Sequence, residues 1–475
     1  MILDLLFLND VHGYLEPHSD LFYNSQEAYT ENVGGYARIA SLIKTIRQNN
    51  NNTLLFDGGD TFHGTLPLVK SKGEAIIPIL NELSFQAMVG HWDFGYGPEQ
   101  LKNILSQLNY PMLGINVYNT DGTLFLKPYT IVVVDEIKVG VVGICANIID
   151  KTMPDNFSKG LKITSGLDEL PQYINRMRSE GADLIILLSH NGFPQDIHIL
   201  NQVDGVNVCL SAHTHNRLYE SVVVNNTIVI QSGCHGSFLG HLQLYIKNKK
   251  IDTHTYDLRK IDSKIEPDKN IASLMNDVIK PYEELKNNVV GTTNRTLHRY
   301  NTLNSSMDDF LLAAIKYVSK TEIAFSNGWR YGAPIPKGNI TEMDLYNIIP
   351  MNPIISTVEL SGKEITEMLE ENLERTFSSN PLNQMGGYVK RCAGLRVNFR
   401  IENPQYHRIQ EVYFADKHLE PDTYYKVSYV TSQGVPNNIG RNRVDLEIHA
   451  VEAMKEFLFM HPQYIAASTE TFHLV

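Results

Sequence analysis

The first half of the chain repeats one pattern: a short apolar run breaks off in a cluster of small and polar residues. The runs are LDLLFLNDVHG, TLLFDGGDTFHG, FQAMVGHWDFG, KVGVVGICAN, DLIILLSHNG, VNVCLSAHTHN and TIVIQSGCHG. Continuous apolar runs without alternation predict strands buried on both faces. Between them lie helical patterns. In GGYARIASLIKTIRQNN, Ile39, Leu42, Ile43 and Ile46 recur at the spacing of one helix face. SGLDELPQYINRMRSEGAD is a second helix, ending at a glycine. Alternating strands and helices predict an α/β sandwich over residues 1–261. Residues 262–290 are charged, contain two prolines and read as a linker with helix. The texture then changes. Residues 291–475 mix short strands with a helix from about Gly362, which predicts a second, α+β domain.

Composition narrows the classes of function. A chain of 475 residues is long enough for two or three domains. Its net charge of −12 argues against a nucleic-acid or anionic-membrane surface. A small anionic substrate stays open, because bound metal ions invert the local sign. Cys145, Cys209, Cys234 and Cys392 form no CxxC pair and read as free, buried thiols. No run is long and apolar enough for a membrane span. The N-terminal MILDLLFLND has neither the basic segment nor the cleavage site of a leader and reads as the first strand. A cytoplasmic protein is expected; oligomeric state is not legible.

The strand ends carry the chemistry. Open α/β folds place their sites there, and here the ends are rich in metal-ligating types. Asp10 and His12 are two residues apart, as are His213 and His215, so on an extended backbone each pair points one way. Asp60 follows two glycines that let the chain turn sharply. His190 ends LIILLSH, and His91 ends QAMVG. Seven oxygen and nitrogen donors from five strand ends suffice for two divalent ions with one bridging carboxylate. Carboxylate mixed with imidazole suits manganese, zinc or iron better than calcium. Singly, each of these histidines would pass for a surface or hydrogen-bonded residue; it is the ordered set that points to metal.

NDVHG, GGDTFHG, the SHNG histidine and AHTHN resemble, in order and spacing, the calcineurin-like metallophosphoesterases, whose pattern runs DxH, GD, GNHE, H and GHxH. The resemblance implies an αββα sandwich with Asp10, His12, Asp60 and His215 on one ion. It implies Asp60, His91, His190 and His213 on the other, manganese or zinc being expected. SNGWRYGAPIPKGNITEMDLYNIIPMNPIISTVELSGKEITEML resembles the C-terminal substrate domain of 5′-nucleotidases. It implies an anion contact from Arg330, with Asn327 beside it; Trp329 either walls the pocket or simply packs, and Lys390 and Arg391 either reach the same anion or form a solvated basic pair. Arg330 aligns with an anion-binding arginine, and a planar guanidinium suits phosphate or sulfate.

One motif departs from the family. Where 5′-nucleotidases read GNHEFD, this chain reads Gly90-His91-Trp92-Asp93-Phe94-Gly95. The ligand asparagine becomes His91, the catalytic histidine becomes Trp92, and its aspartate partner becomes Gly95. Expelling an alkoxide benefits from protonation; expelling a thiolate is easier, since a thiol has a pKa of about 8.5. A similar GHWEF-like motif marks the thiosulfohydrolase branch of the sulfur-oxidation (Sox) pathway, which SNGWRYG, NQMGGYVKRCAGL and GCHGSFLGHLQL also resemble. The main expectation is a dinuclear hydrolase cleaving a nucleotide-like phosphomonoester through a metal-bridging hydroxide. The alternatives are hydrolysis of a cysteine S-sulfonate and a non-catalytic metal-binding protein. His63 and His235, close to the site loops, are candidates for proton transfer or for supporting the ligands, and Trp92 either shapes the floor beside the metals or packs in the core.

Overall fold

The apolar runs of the first half form two sheets. In one, the strand order is Lys250–Lys260, Phe238–Lys247, Ile2–Leu8, Thr53–Asp57 and Ala87–Met88. In the other it is Val222–Val224, Thr227–Ile230, Val208–Ser211, Leu184–Ser189, Ile137–Ile144 and Tyr129–Val134. Every residue of Thr53–Asp57, Leu184–Ser189 and Val208–Ser211 is buried, as strands covered on both faces must be. The computed structural model describes residues 1–466 and 470–475. Among these, no helix is long and apolar enough to cross a membrane.

Register decides what meets at the strand ends. Ile2–Leu8 and Thr53–Asp57 run parallel with Leu8 beside Asp57, and Asp57 in turn lies beside Met88. In the second sheet Ser189 lies beside Ser211, again in parallel. Each of these strands therefore finishes level with its neighbour, and the loops after Leu8, Asp57, Met88, Ser189 and Ser211 leave from the same edges.

The helix Tyr36–Asn49 buries Ile39, Ile43 and Ile46; Leu42 is half-buried. The second predicted helix spans Leu170–Ser179, with Pro171 in its first turn and left-handed Gly181 just beyond its end. Within residues 262–290, Asp268 caps the helix Lys269–Ile279 by accepting the N–H groups of Asn270 and Ile271. That helix packs on Tyr36–Asn49, which places it inside the first compact unit. The units are residues 1–20 with 32–281, and residues 21–31 with 282–475. The grouping of residues 21–31 with the second unit leaves no trace in local pattern.

The second unit is α+β, as its mixed texture predicts. Its five-stranded sheet has the order Arg391–Ala393, Ile323–Ser326, Tyr424–Val430, Ile354–Ser361 and Arg441–His449. Ser361 and Glu364 form a capping box that starts the helix Gly362–Phe377 where the sequence predicts it. Leu369 and Leu373 of that helix share a core with Phe325, Leu360 and Phe399.

Candidate metal centre

Seven side chains from the ends of five strands meet in the first unit. One potential ligand atom from each of Asp60, His91, His190 and His213 lies within 4.8 Å of the other three. The same holds for Asp10, His12, Asp60 and His215, so the two groups share Asp60. His12 Nε2 and His190 Nε2 stand 3.4 and 3.3 Å from Asp60 Oδ2; His215 Nε2 stands 3.3 Å from Asp10 Oδ1. His12 Nε2 and His215 Nε2 are 3.2 Å apart. Such separations match the edges of a coordination shell with metal–ligand bonds of about 2.0–2.2 Å.

The backbone route differs from the extended alternation expected for DVH and HTH. Asp10 and His12 have φ of 52° and 51°, His213 and His215 of 73° and 57°, and Asp60 of 56°. These residues are left-handed, a region that Asp and His enter more readily than most. The side chains converge because each loop turns tightly, not because alternate residues of a strand face one way. Gly59 is required for a different reason. A Cβ there would lie 2.5 Å from the Val89 carbonyl and 3.0 Å from His190 Nδ1.

A layer of buried polar groups fixes the ligands, and local sequence pattern does not mark it. Asn9 donates to Asp10 Oδ2 (2.6 Å) and to the Gly233 carbonyl (2.8 Å). His190 Nδ1 faces the Gly58 carbonyl at 2.5 Å, which makes Nδ1 the protonated nitrogen and leaves Nε2 for a ligand bond. Asp196 accepts from the Ser189 and Ser211 hydroxyls, both at 2.6 Å, and so ties two neighbouring strand ends together. Gln231 holds the AHTHN loop, accepting from Thr214 Oγ1 (3.1 Å) and donating to the Ala212 carbonyl (2.8 Å). Asp93 accepts four backbone N–H groups, those of Asp60, Thr61, Phe62 and His91, at 2.8–3.1 Å.

The donor set fits divalent cations. Both ring nitrogens of buried His91 hydrogen-bond to nothing among the described residues. Buried polar atoms require partners, and a metal ion is the partner that also balances Asp10 and Asp60. Charge within the site is correspondingly skewed. Burial opposes charge on both aspartates, yet the surrounding imidazoles hold their carboxyls below the usual range. Burial likewise opposes charge on His190, but Asp60 and Asp10 raise it to about 10. For His12 burial prevails, lowering it to about 4.

Two family models match in tandem: calcineurin-like phosphoesterase over residues 3–217, and 5′-nucleotidase, C-terminal domain, over residues 284–433. The chain belongs to the 5′-nucleotidase family. Among curated relatives, the trifunctional nucleotide phosphoesterase protein YfkN of Bacillus subtilis is 26% identical over 426 residues, 79% of this chain. The chain spans only 29% of that relative's length. Among solved structures, the sulfate thiohydrolase SoxB of Thermus thermophilus superposes with a TM-score of 0.92 at 21% identity, covering 100% of this chain and 96% of that one. A 5′-nucleotidase precursor, also from Thermus thermophilus, gives 0.89 at 23%, covering 100% and 99%. At these identities the structural likeness concerns the fold.

Within this family fold, the atypical third motif is well packed. The Trp92 ring lies between His63 (centroids 4.8 Å apart) and Phe157 (5.7 Å), and is 9% exposed. Its backbone N–H donates to Asp60 Oδ1 at 2.7 Å. His63 also faces Tyr96, with centroids 5.6 Å apart. His235 lies beside the other ligand group, 6.1 Å from His12 and 6.0 Å from His215 between ring centroids. Its N–H donates to the Asp10 carbonyl at 2.8 Å.

The second unit separates its five substrate candidates. Arg330 and Asn327 are half-exposed, and the Arg330 guanidinium lies 6.0 Å from the Tyr388 ring centre. Trp329 is buried, with the Arg299 guanidinium 5.3 Å from its ring. Lys390 and Arg391 are placed otherwise than an anion-binding role requires. Lys390 is buried and donates to the carbonyls of Gln433 (2.6 Å) and Gly434 (2.9 Å). Arg391 is buried, donates to the carbonyls of Thr302 (3.1 Å) and Asn301 (3.0 Å), and pairs with Asp308 at 3.3 Å. Both cations close internal turns. All four cysteines are buried and free.

Proposed function

We propose that this chain is a two-metal hydrolase of 5′-nucleotidase type that removes phosphate from a small nucleotide-like phosphomonoester. The observation that carries the reading is the pair of four-residue donor groups sharing Asp60. Manganese or zinc suits their mix of imidazole and carboxylate. When bound, such a pair of ions supplies a water-derived nucleophile at neutral pH and stabilises charge on the transferring group. The chain's own residues do the rest. Asp10, Asp60 and the five imidazoles hold the ions. Asn9, Asp93, Asp196 and Gln231 keep those ligands in place. Trp92 walls the loop that carries His91. Of the three cations considered for the substrate anion, Arg330 is the one not buried, and so the one assigned to it.

A second reading rests on one specific feature. Trp92 and Gly95 stand where the family's acid-assisting dyad would be, so a leaving group that departs as a thiolate needs less help. SoxB, with the same fold, is described as a sulfate thiohydrolase. The deciding experiment loads the full chain with manganese and offers AMP and an S-sulfocysteine peptide in parallel. Phosphate release from AMP supports the phosphoesterase reading. Sulfate release without phosphate replaces it with the sulfur reading.

A further inference from the structure

The shared ligand Asp60 and its neighbour His91 belong to two different loops, and the bonds between those loops are reciprocal. The Asp60 carboxylate accepts the N–H of Trp92 at 2.7 Å. The Asp93 carboxylate accepts the N–H of Asp60 at 2.8 Å and that of His91 at 3.1 Å, both on Oδ2. Its other oxygen accepts Thr61 N–H at 2.8 Å and Phe62 N–H at 3.1 Å. Asp93 is 1% exposed, so these four donors are its solvation. Hydrogen bonds to a carboxylate are shorter and stronger than neutral ones. One side chain therefore sets the backbone positions of two ligands that must face the same ion.

We propose that Asp93 is a positioning residue that clasps the Gly58–Phe62 and Gly90–Asp93 loops, fixing Asp60 and His91 at the spacing that holds the ion between them. The inference rests on the two-ion reading of the site. Asp57 provides an internal control. It is also buried beneath the first loop and accepts Gly59 N–H (2.9 Å) and the Thr61 hydroxyl (2.8 and 2.9 Å), but it bonds neither Asp60 nor His91. A general need for buried carboxylate under this loop makes the two aspartates equivalent; the clasp makes them different. An asparagine at position 93 offers one acceptor oxygen, so its amide N–H₂ must face one pair of N–H donors.

The test strips the full chain with chelator and titrates it with manganese(II). Calorimetry measures affinity, and electron paramagnetic resonance separates a spin-coupled pair from isolated ions. Wild type is expected to take up two ions with a coupled spectrum. In D93N the ion held by Asp60, His91, His190 and His213 should bind about 10–100-fold more weakly, and coupling should vanish at equal loading. D57N should keep the coupled spectrum. Wild-type affinity in D93N, or equal losses in both variants, overturns the proposal. Should D93N fail to fold, hydrogen exchange of the metal-free wild type decides. The amides of Asp60, Thr61, Phe62 and His91 are expected to be protected before metal is added; exchange at open-loop rates overturns the clasp. A wild type that binds the coupled pair but releases no phosphate from AMP removes the substrate reading and leaves this one intact.

Discussion

The two units bury charge in opposite ways. The first collects Asp10, Asp60 and five imidazoles at the ends of strands, and both ring nitrogens of His91 are left without a hydrogen-bond partner among the described residues. The second buries cations and closes them internally. Arg299 donates to Asp308 through Nε (3.0 Å) and Nη2 (2.9 Å), and Arg391 approaches the other oxygen of the same carboxylate. Lys390 ends on two carbonyls. A buried charge with partners supplied by its own fold maintains structure. A buried donor set without them is built for something the chain does not contain. Exposure alone does not draw this distinction, since Asp10 and Asp308 are both wholly buried.

The comparison breaks most directly at its extremes. Asp60→Ala should remove the shared ligand of both groups, so bound metal and hydrolysis should fall by well over about 100-fold, more than loss of an outer partner costs. Elemental analysis and phosphate release check this, and full metal occupancy in the variant would dissolve the contrast. Asp308→Ala should do the converse. It strands Arg299 and Arg391 in the interior and should cost about 3–5 kcal/mol in urea denaturation, while the metal content of the folded fraction stays unchanged.

Titration sharpens the same contrast. Burial raises Asp196 to about 7 from its usual 3.8. A carboxyl raised in the folded state contributes most below its unfolded value and loses that contribution as pH rises through the folded one. The stability of wild type relative to Asp196→Asn should therefore decline between about pH 4 and 7. In the second unit burial, then Arg375, lowers Lys390 to about 8 from 10.5. The unfolded chain then holds the extra proton, so wild type should gain on Lys390→Met between about pH 8 and 10.5. Denaturation of the metal-free variants across pH reads both signs. The smallest structural effect belongs to Arg330→Ala. This half-exposed residue should leave stability within about 0.5 kcal/mol and raise KM for AMP with little change in kcat. A large loss of stability would move Arg330 into the structural class of Arg391.

Much of the centre is legible in the chain because ligands must be particular residue types, and parallel strands must end in loops. The apolar runs announce the strands, and Asp and His at their ends announce the donors. The supporting residues are hidden for a physical reason. Asp93, Asn9, Asp196 and Gln231 each make at least one hydrogen bond to a group 15 or more residues away in sequence, and any polar residue in a loop looks alike before those partners are placed. Lys390 and Arg391 illustrate the reverse. A family resemblance makes them candidates for an anion site, whereas the fold turns them inward onto carbonyls that no local pattern reveals.

The sequence by itself determined the α/β and α+β halves and the donor types at the strand ends, since apolar periodicity and ligand chemistry are local properties. Tertiary structure alone decided that residues 21–31 group with the second unit. It also decided that left-handed turns rather than strand alternation aim the ligands, and that Asp93 joins two loops. The last two depend on parallel register, which brings Leu8, Asp57 and Met88 level, and Ser189 beside Ser211. Register is settled by packing between segments far apart in the chain, and that is information a local pattern does not carry.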